Sequence, residues 1–97
     1  MNCSICDLIN RRAVIQFNYD GGMRVAEPHC HGNSRTGKEV VRAFQTAGYT
    51  KSGNPIGWRL FEVDAMSDIS ETGETFSDNR SGFNPADKHM MSICCHV

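Results

Sequence analysis

The sequence has no excess of either charge, no long apolar run, only three prolines and a single tryptophan. Ten Lys and Arg against eleven Asp and Glu leave a net charge of −1, so no uniform basic coat marks a binder of long nucleic acid. No apolar stretch approaches the roughly 18 residues that a membrane span needs. Asp7 precedes Arg11 and Arg12 near the N-terminus, the reverse of the order in a secretory signal. Cysteine is not used as an even set: there are five, at positions 3, 6, 30, 94 and 95. A small secreted domain normally pairs its cysteines, so the expectation is reduced thiols and a cytoplasmic location. The adjacent Cys94 and Cys95 are poor partners for each other, because neighbouring side chains seldom reach disulfide geometry. No internal repeat and no low-complexity tract are present. Ninety-seven residues allow one modest core, hence one domain over 1–97, and are too few for a two-lobed enzyme with a cleft.

The neutral total conceals an asymmetry. Residues 1–60 carry eight basic and four acidic side chains, or +4, and residues 61–97 carry two basic and seven acidic, or −5. Seven of the ten cations are arginine, whose planar fork suits phosphates and the faces of bases. Either a positive face is built from the first two-thirds, or the charges are scattered over the surface.

The hydrophobic pattern changes period along the chain. Ile5, Leu8 and Ile9 recur at helical spacing, and Ser4 with Asp7 resembles a capping box. Ala13–Tyr19 alternates apolar and polar residues as a strand does, Asp20-Gly21-Gly22 reads as a hairpin turn, and Met23–Glu27 returns, limited by Pro28. Residues 32–37 form a polar loop, residues 38–46 a third strand and residues 47–57 a glycine-rich loop. Residues 58–63 form a fourth strand. A connection and a hairpin at residues 71–74 then lead to a short fifth strand at Thr75 and Phe76. The closing element reads as a helix: Asn84 caps it, Pro85 opens it, Asp87 lies in the first turn where the helix dipole favours an anion, and Ala86, Met90, Ile93, Cys94 and Val97 form one apolar stripe. The expected fold is mainly β, a small, partly open barrel with an N-terminal and a C-terminal helix.

Several of these segments carry a family pattern. Residues 25–29 (Val-Ala-Glu-Pro-His), the strand from Glu39 to Phe44, and Arg59-Leu60-Phe61-Glu62-Val63-Asp64-Ala65-Met66 resemble the WYL domain. The likeness is greater to small stand-alone WYL-like proteins of bacteria and phages, through Arg42-Ala43-Phe44-Gln45, Ser52-Gly53, Gly57-Trp58, Gly82-Phe83 and Asp87-Lys88. It spans roughly residues 8–93, and it departs from the family at its namesake, where Glu39-Val40-Val41 stands in place of Trp-Tyr-Leu. The resemblance implies an SH3-like, Sm-related barrel and a sensor that binds nucleic acid or a nucleotide-like ligand through a basic, aromatic-lined face. Such domains are usually joined to transcription factors or defence-system components.

Four constellations bear on chemistry. The first is cationic and aromatic: Arg24, His29, Arg42, Gln45, Trp58, Arg59, Arg80, Phe83 and Lys88. Strand alternation allows Arg24 and Arg42 to face the same side, with arginines for phosphates, rings for bases and Gln45 for a base edge. The competing reading makes the rings core and the arginines partners of Glu27, Glu39 and Asp64. The second is the pair of polar segments that could cradle an anion: the loop at 48–54, with Lys51 and Ser52, and the stretch from Asn79 to Asn84. The loop lacks the ending of a Walker A sequence. The third is a set of soft ligands: Cys3-x-x-Cys6, His29-Cys30-His31 and Cys94-Cys95-His96. Cys-x-x-Cys is a common zinc half-site, but no second half of matching form follows, so no metal is expected. His29 and His31 would share a side, and an oxidised or metal-bound clasp between the two chain ends stays open. The fourth is Cys30 as a nucleophile, which strand alternation separates from both flanking histidines.

The reading is a non-enzymatic module, without cofactor, for a nucleotide-type anionic ligand: a nucleotide, a cyclic oligonucleotide or a single-strand end. It would act as a regulatory sensor with a separate effector protein, or as a phage protein that sequesters a defence signal. Open strand edges imply a homo-oligomer. The alternative is a protein-interaction or structural module, with or without zinc, that sets its arginines on an acidic partner.

Overall fold

The computed structural model describes residues 3–50, 53–84 and 86–97, without the side chains of Cys3 and Ser4. Lys51, Ser52, Pro85 and the Ser4 half of the capping box therefore lie outside the described residues. A helix, α1 (Cys3–Asn10), precedes β1 (Ala13–Tyr19), β2 (Gly22–Ser34), β3 (Glu39–Gly48) and β4 (Gly57–Glu62). A single 3₁₀ turn (Val63–Ala65) then leads to β5 (Ser67–Thr75), and β6 (Met90–His96) closes the chain. All six strands form one antiparallel sheet that does not close on itself, with β4-β3-β2-β1-β5 as its main path and β6 paired to β2.

The long β2 organises the sheet. One edge runs along β3, and the other changes partner midway, from β1 at Gly22–Ala26 to β6 at Cys30–Ser34. Pro28 falls in the interval between these partners, beside a register shift in the β2–β3 ladder. A residue without an N–H is tolerated there, so the strand continues where Pro28 was expected to stop it. The β1–β2 turn has Asp20 at φ 47° and Gly21 at φ 97°, the paired positive angles whose twist matches that of the flanking strands.

Alternation assigns the two faces. Ile15, Phe17, Ala26, Val41, Ala43 and Phe61 point to one side, where α1 covers them with Ile5 and Ile9. Each fully buried aliphatic side chain contributes about 1.5–3 kcal/mol of hydrophobic stabilisation. Phe17, Tyr19 and Phe61 meet edge to face, Phe61 lying 4.9 Å from each of the other two. The opposite face carries a smaller cluster of Cys30, Val40 and Met90, flanked by Leu60 and Phe83.

Two expected elements are corrected. The segment read as a C-terminal helix is the strand β6, and residues 67–74, read as connection and hairpin, continue into Thr75 as one strand that lies beside β1 and ends before Phe76. At residues 86–97 a helical stripe and a strand fit the apolar spacing equally well. Tertiary context decides, because the outer edge of β2 beyond Ala26 presents buried backbone groups that β6 satisfies and a helix would leave open. Asn84 accordingly caps a turn and not a helix, its Oδ1 accepting the Ala86 N–H at 3.0 Å.

Candidate functional site

The β2–β3 register shift at Pro28–Cys30 has a direct consequence for the histidines. His29 and Cys30 both turn to the face opposite α1: His29 packs on Trp58 and Phe83, and the Cys30 Sγ lies 3.6 Å from the Met90 Sδ. His31 turns to the other side, towards Cys6 of α1. The expectation that His29 and His31 share a side is thus overturned by one extra residue in the strand.

Beside His29 lies a cavity of about 390 Å³ lined by Arg42, Trp58, Gly82, Phe83, Asn84, Asp87, Lys88 and His89. Its size falls within the ordinary range of small-molecule sites. The Trp58 and Phe83 rings lie 6.2 Å apart and 27° from parallel, and Phe44 meets Trp58 edge to face at 5.5 Å. The indole N–H donates to the Ser81 carbonyl at 2.9 Å, which fixes the ring. At the cavity's polar side the Arg42 Nε donates to Asp87 at 2.7 Å, and Nη2 reaches both Asp87 (3.3 Å) and the His89 Nδ1 (2.9 Å). Burial alone would raise the Asp87 carboxyl; the Arg42 guanidinium and the His89 backbone N–H outweigh it and hold the group below its ordinary value. Lys88 and His89 are exposed at the rim.

Beneath the rings His29 is fully buried, with Nδ1 against the Glu27 carbonyl (2.8 Å) and Nε2 accepting the Arg80 backbone N–H (3.2 Å). That arrangement needs the neutral imidazole with its proton on Nδ1. Burial lowers the pKa below the ordinary histidine value, with Glu27 offsetting part of the effect. A lowered pKa means that the unfolded chain takes up this proton first. The His29 contribution is therefore intact above pH ~6.5 and is lost on acidification, by about 1.4 kcal/mol per pH unit until the native ring also protonates. An NMR titration should place His29 below 6.5; a midpoint at or above that value contradicts the assigned bonds.

The other candidates are divided. Arg80 is held by Glu27 through two bonds (2.7 and 3.0 Å), with its guanidinium 4.7 Å from the centre of the Phe44 ring, so it does not line the cavity. Arg24 and Arg42 do not face the same side. Arg24 is buried at the far end of the sheet among Tyr19, Tyr49 and Phe61, each within 5.7 Å of its guanidinium. Gln45 is fully buried beside it, donating to the Tyr49 carbonyl at 2.9 Å, and so holds the loop in place of reading a base edge. Arg59 donates to the Trp58 and Asn54 carbonyls, and with Arg24 and Thr50 it lines a separate depression of about 260 Å³.

The structure therefore brings together Arg42, Trp58, Phe83, Asn84 and Lys88, with His29 as their support. Asp87 and His89 belong to the site and were not anticipated. Their segment was read as a helix, in which Asp87 served only the helix start. Cys30, under the same face, has its thiol pushed up to about 11 by burial and by the nearby Asp87, and so stays protonated at neutral pH. Cys6 and Cys95 are joined as a disulfide, while Cys30 and Cys94 carry thiols. The oxidised clasp between the chain ends thus has a specific pairing, and the expectation of all-reduced thiols does not describe this form. Among the described residues no helix is long and apolar enough to cross a membrane. No family model, no curated protein and no solved structure matches the chain.

Proposed function

We propose that this chain is a non-enzymatic binding module for a nucleotide-type anionic ligand, held in the Trp58–Phe83 cavity. The observation that carries the reading is the joint placement, around one 390 Å³ cavity, of two near-parallel rings and the Arg42, Lys88 and His89 side chains. The half-buried rings offer a stacking surface for a base, and Arg42 and Lys88 beside them suit its phosphate. Asp87 and Asn84 supply acceptors and an amide for the base edge. This is the ligand class that the resemblance to WYL domains implies. A 3₁₀ turn ahead of β5, and the return of β5 to β1 in an open, strongly paired sheet, support the SH3-like reading of the fold. The high pKa of the buried Cys30 thiol supports a role without nucleophilic catalysis. A cytoplasmic sensor or sequestering protein, acting as a homo-oligomer with a separate effector, is a setting in which such a module has a use.

Asp87 gives the reading a directional test, because its carboxylate competes with an anionic ligand for Arg42. In thermal melts against nucleoside monophosphates, cyclic dinucleotides and short single strands, at least one should raise Tm, since a ligand bound by the native state alone stabilises it. Asp87→Asn should lower the stability of the unliganded protein, because Arg42 loses its buried partner. It should also tighten phosphate-bearing ligands roughly tenfold, equivalent to about 1.4 kcal/mol. Lys88→Ala, at an exposed position, should weaken them. Absence of any shift, or looser binding by Asp87→Asn together with unchanged binding by Lys88→Ala, would remove the anionic ligand from the account.

A further inference from the structure

A second constellation lies on the opposite face, where α1, the middle of β2 and β6 meet. The Cys6 Sγ lies 3.4 Å from the His31 Nδ1, and the ligand atoms of Cys6, His31 and Cys94 all fall within 4.8 Å of one another. Cys95 is joined to Cys6. Two adjacent residues of a strand ordinarily point to opposite faces, but the β2–β6 ladder is shifted here: His31 pairs with Cys95 and Gly32 with Ile93. Cys94 is the extra residue of that bulge, which explains how both neighbouring sulfurs approach Cys6.

We propose that Cys6, His31, Cys94 and Cys95 form a site for a soft divalent cation of the zinc class, filled when the Cys6–Cys95 bond is reduced. Three thiolates and one imidazole make a ligand set typical of closed, tetrahedral structural zinc. Metal–ligand bonds of ~2.3 Å to sulfur and ~2.0 Å to nitrogen place those atoms ~3.5 Å apart at a tetrahedral angle, close to the observed Cys6–His31 separation. His31 is independently prepared for the role. It is fully buried, and its Nε2 lies 2.5 Å from the Glu39 carboxylate. A carboxylate on the far nitrogen holds the proton there and aims the Nδ1 lone pair at the metal. In the oxidised form that lone pair faces a disulfide sulfur, which has no proton to give.

Cys94 is exposed and provides the entry path. Opening the site takes two thiols of a small-molecule reductant of the glutathione class. They become its disulfide, and their two electrons and two protons convert Cys6–S–S–Cys95 into two thiols. Metal binding then displaces one proton from each of the three cysteines, so uptake strengthens as pH rises. The site joins the first helix to the last strand, and its occupancy ties the two chain ends across β2.

The test uses the full chain, reduced without oxygen and titrated with Co(II) and then Zn(II). One equivalent of Co(II) should give thiolate charge-transfer bands and the strong ligand-field bands of tetrahedral cobalt, and Zn(II) should displace it and raise Tm. Cys94→Ser and Cys95→Ser should each abolish the charge-transfer spectrum or shift it, Glu39→Gln should weaken uptake roughly 10- to 100-fold, and Cys30→Ala should leave it unchanged. X-ray absorption on the zinc-loaded wild type should show three sulfurs and one nitrogen, which tests the ligand set even if a variant does not fold. Retention of less than about a tenth equivalent of either metal by the reduced wild type, a shell without sulfur, or a shell of four sulfurs would overturn the proposal.

Discussion

Replacing Trp58 with alanine is expected to weaken nucleotide binding roughly 5- to 150-fold, the range that corresponds to the ~1–3 kcal/mol of one base–aromatic stack. Trp58 is half-buried, anchored by its N–H to Ser81, and contacts His29, Phe44 and Phe83 as well as the cavity. Its loss therefore removes both the stacking surface and part of the floor. Trp58→Phe separates the two effects, since it keeps a ring in the stack and forfeits only the bond to Ser81. Calorimetric titration should find the phenylalanine variant within a few-fold of wild type and the alanine variant near the limit of detection. Equal loss in both would mean that the indole N–H, and not the ring face, matters.

The second large effect concerns the fold. Gly32→Ala is expected to destabilise the domain by about 2–3 kcal/mol, the upper part of the range for overpacking. A Cβ at this position would lie 2.1 Å from the Ser92 carbonyl oxygen and 3.0 Å from the Ile93 Cα. Both are backbone atoms of β6, which cannot rotate aside as a side chain can. For a domain of this size each kilocalorie lowers Tm by about 4–8 °C, so a fall of roughly 10–20 °C should appear in thermal melts. If the C-terminal segment were the helix that its apolar spacing also permits, no strand would lie against Gly32. The substitution would then be nearly neutral, or mildly stabilising through the unfolded state.

These two substitutions mark what was legible in the sequence and what was not. β1 was readable to the residue, because Ala13, Ile15 and Phe17 alternate without interruption and the Asp20-Gly21 turn ends the run. Trp58, Phe83, Arg42, Asn84 and Lys88 were singled out by residue type and by family resemblance, and one cavity gathers them. The failures are of a different kind. Met90–His96 is a strand because β2 has an edge to satisfy, which no local pattern records. Arg24 and Arg42 part company, and His29 and His31 turn opposite ways, because two register shifts in the β2–β3 ladder, one with its extra residue in β3 and one in β2, break the alternation that predicted their faces. Asp87 was missed because a helix start accounted for an acidic residue there without reference to Arg42.

The near-neutral charge of the chain also takes on a more definite meaning. At the cavity Arg42 is already met by Asp87 and by the His89 Nδ1, which accepts from its Nη2, so the uncompensated positive charge of the site is that of Lys88 at its rim. Such a site suits one small anion with a ring attached better than a long polyanion, whose binding rests on many phosphate contacts at once.

A ligand stacked on Trp58 would be directly measurable, because the chain has a single tryptophan. Titrating the wild-type protein with the nucleotides that raise Tm, while following indole fluorescence, should give a saturable quench whose midpoint matches the calorimetric affinity. Lys88→Ala should shift that midpoint to higher concentration. Fluorescence that stays constant while a nucleotide binds would place the ligand away from Trp58 and contradict the account.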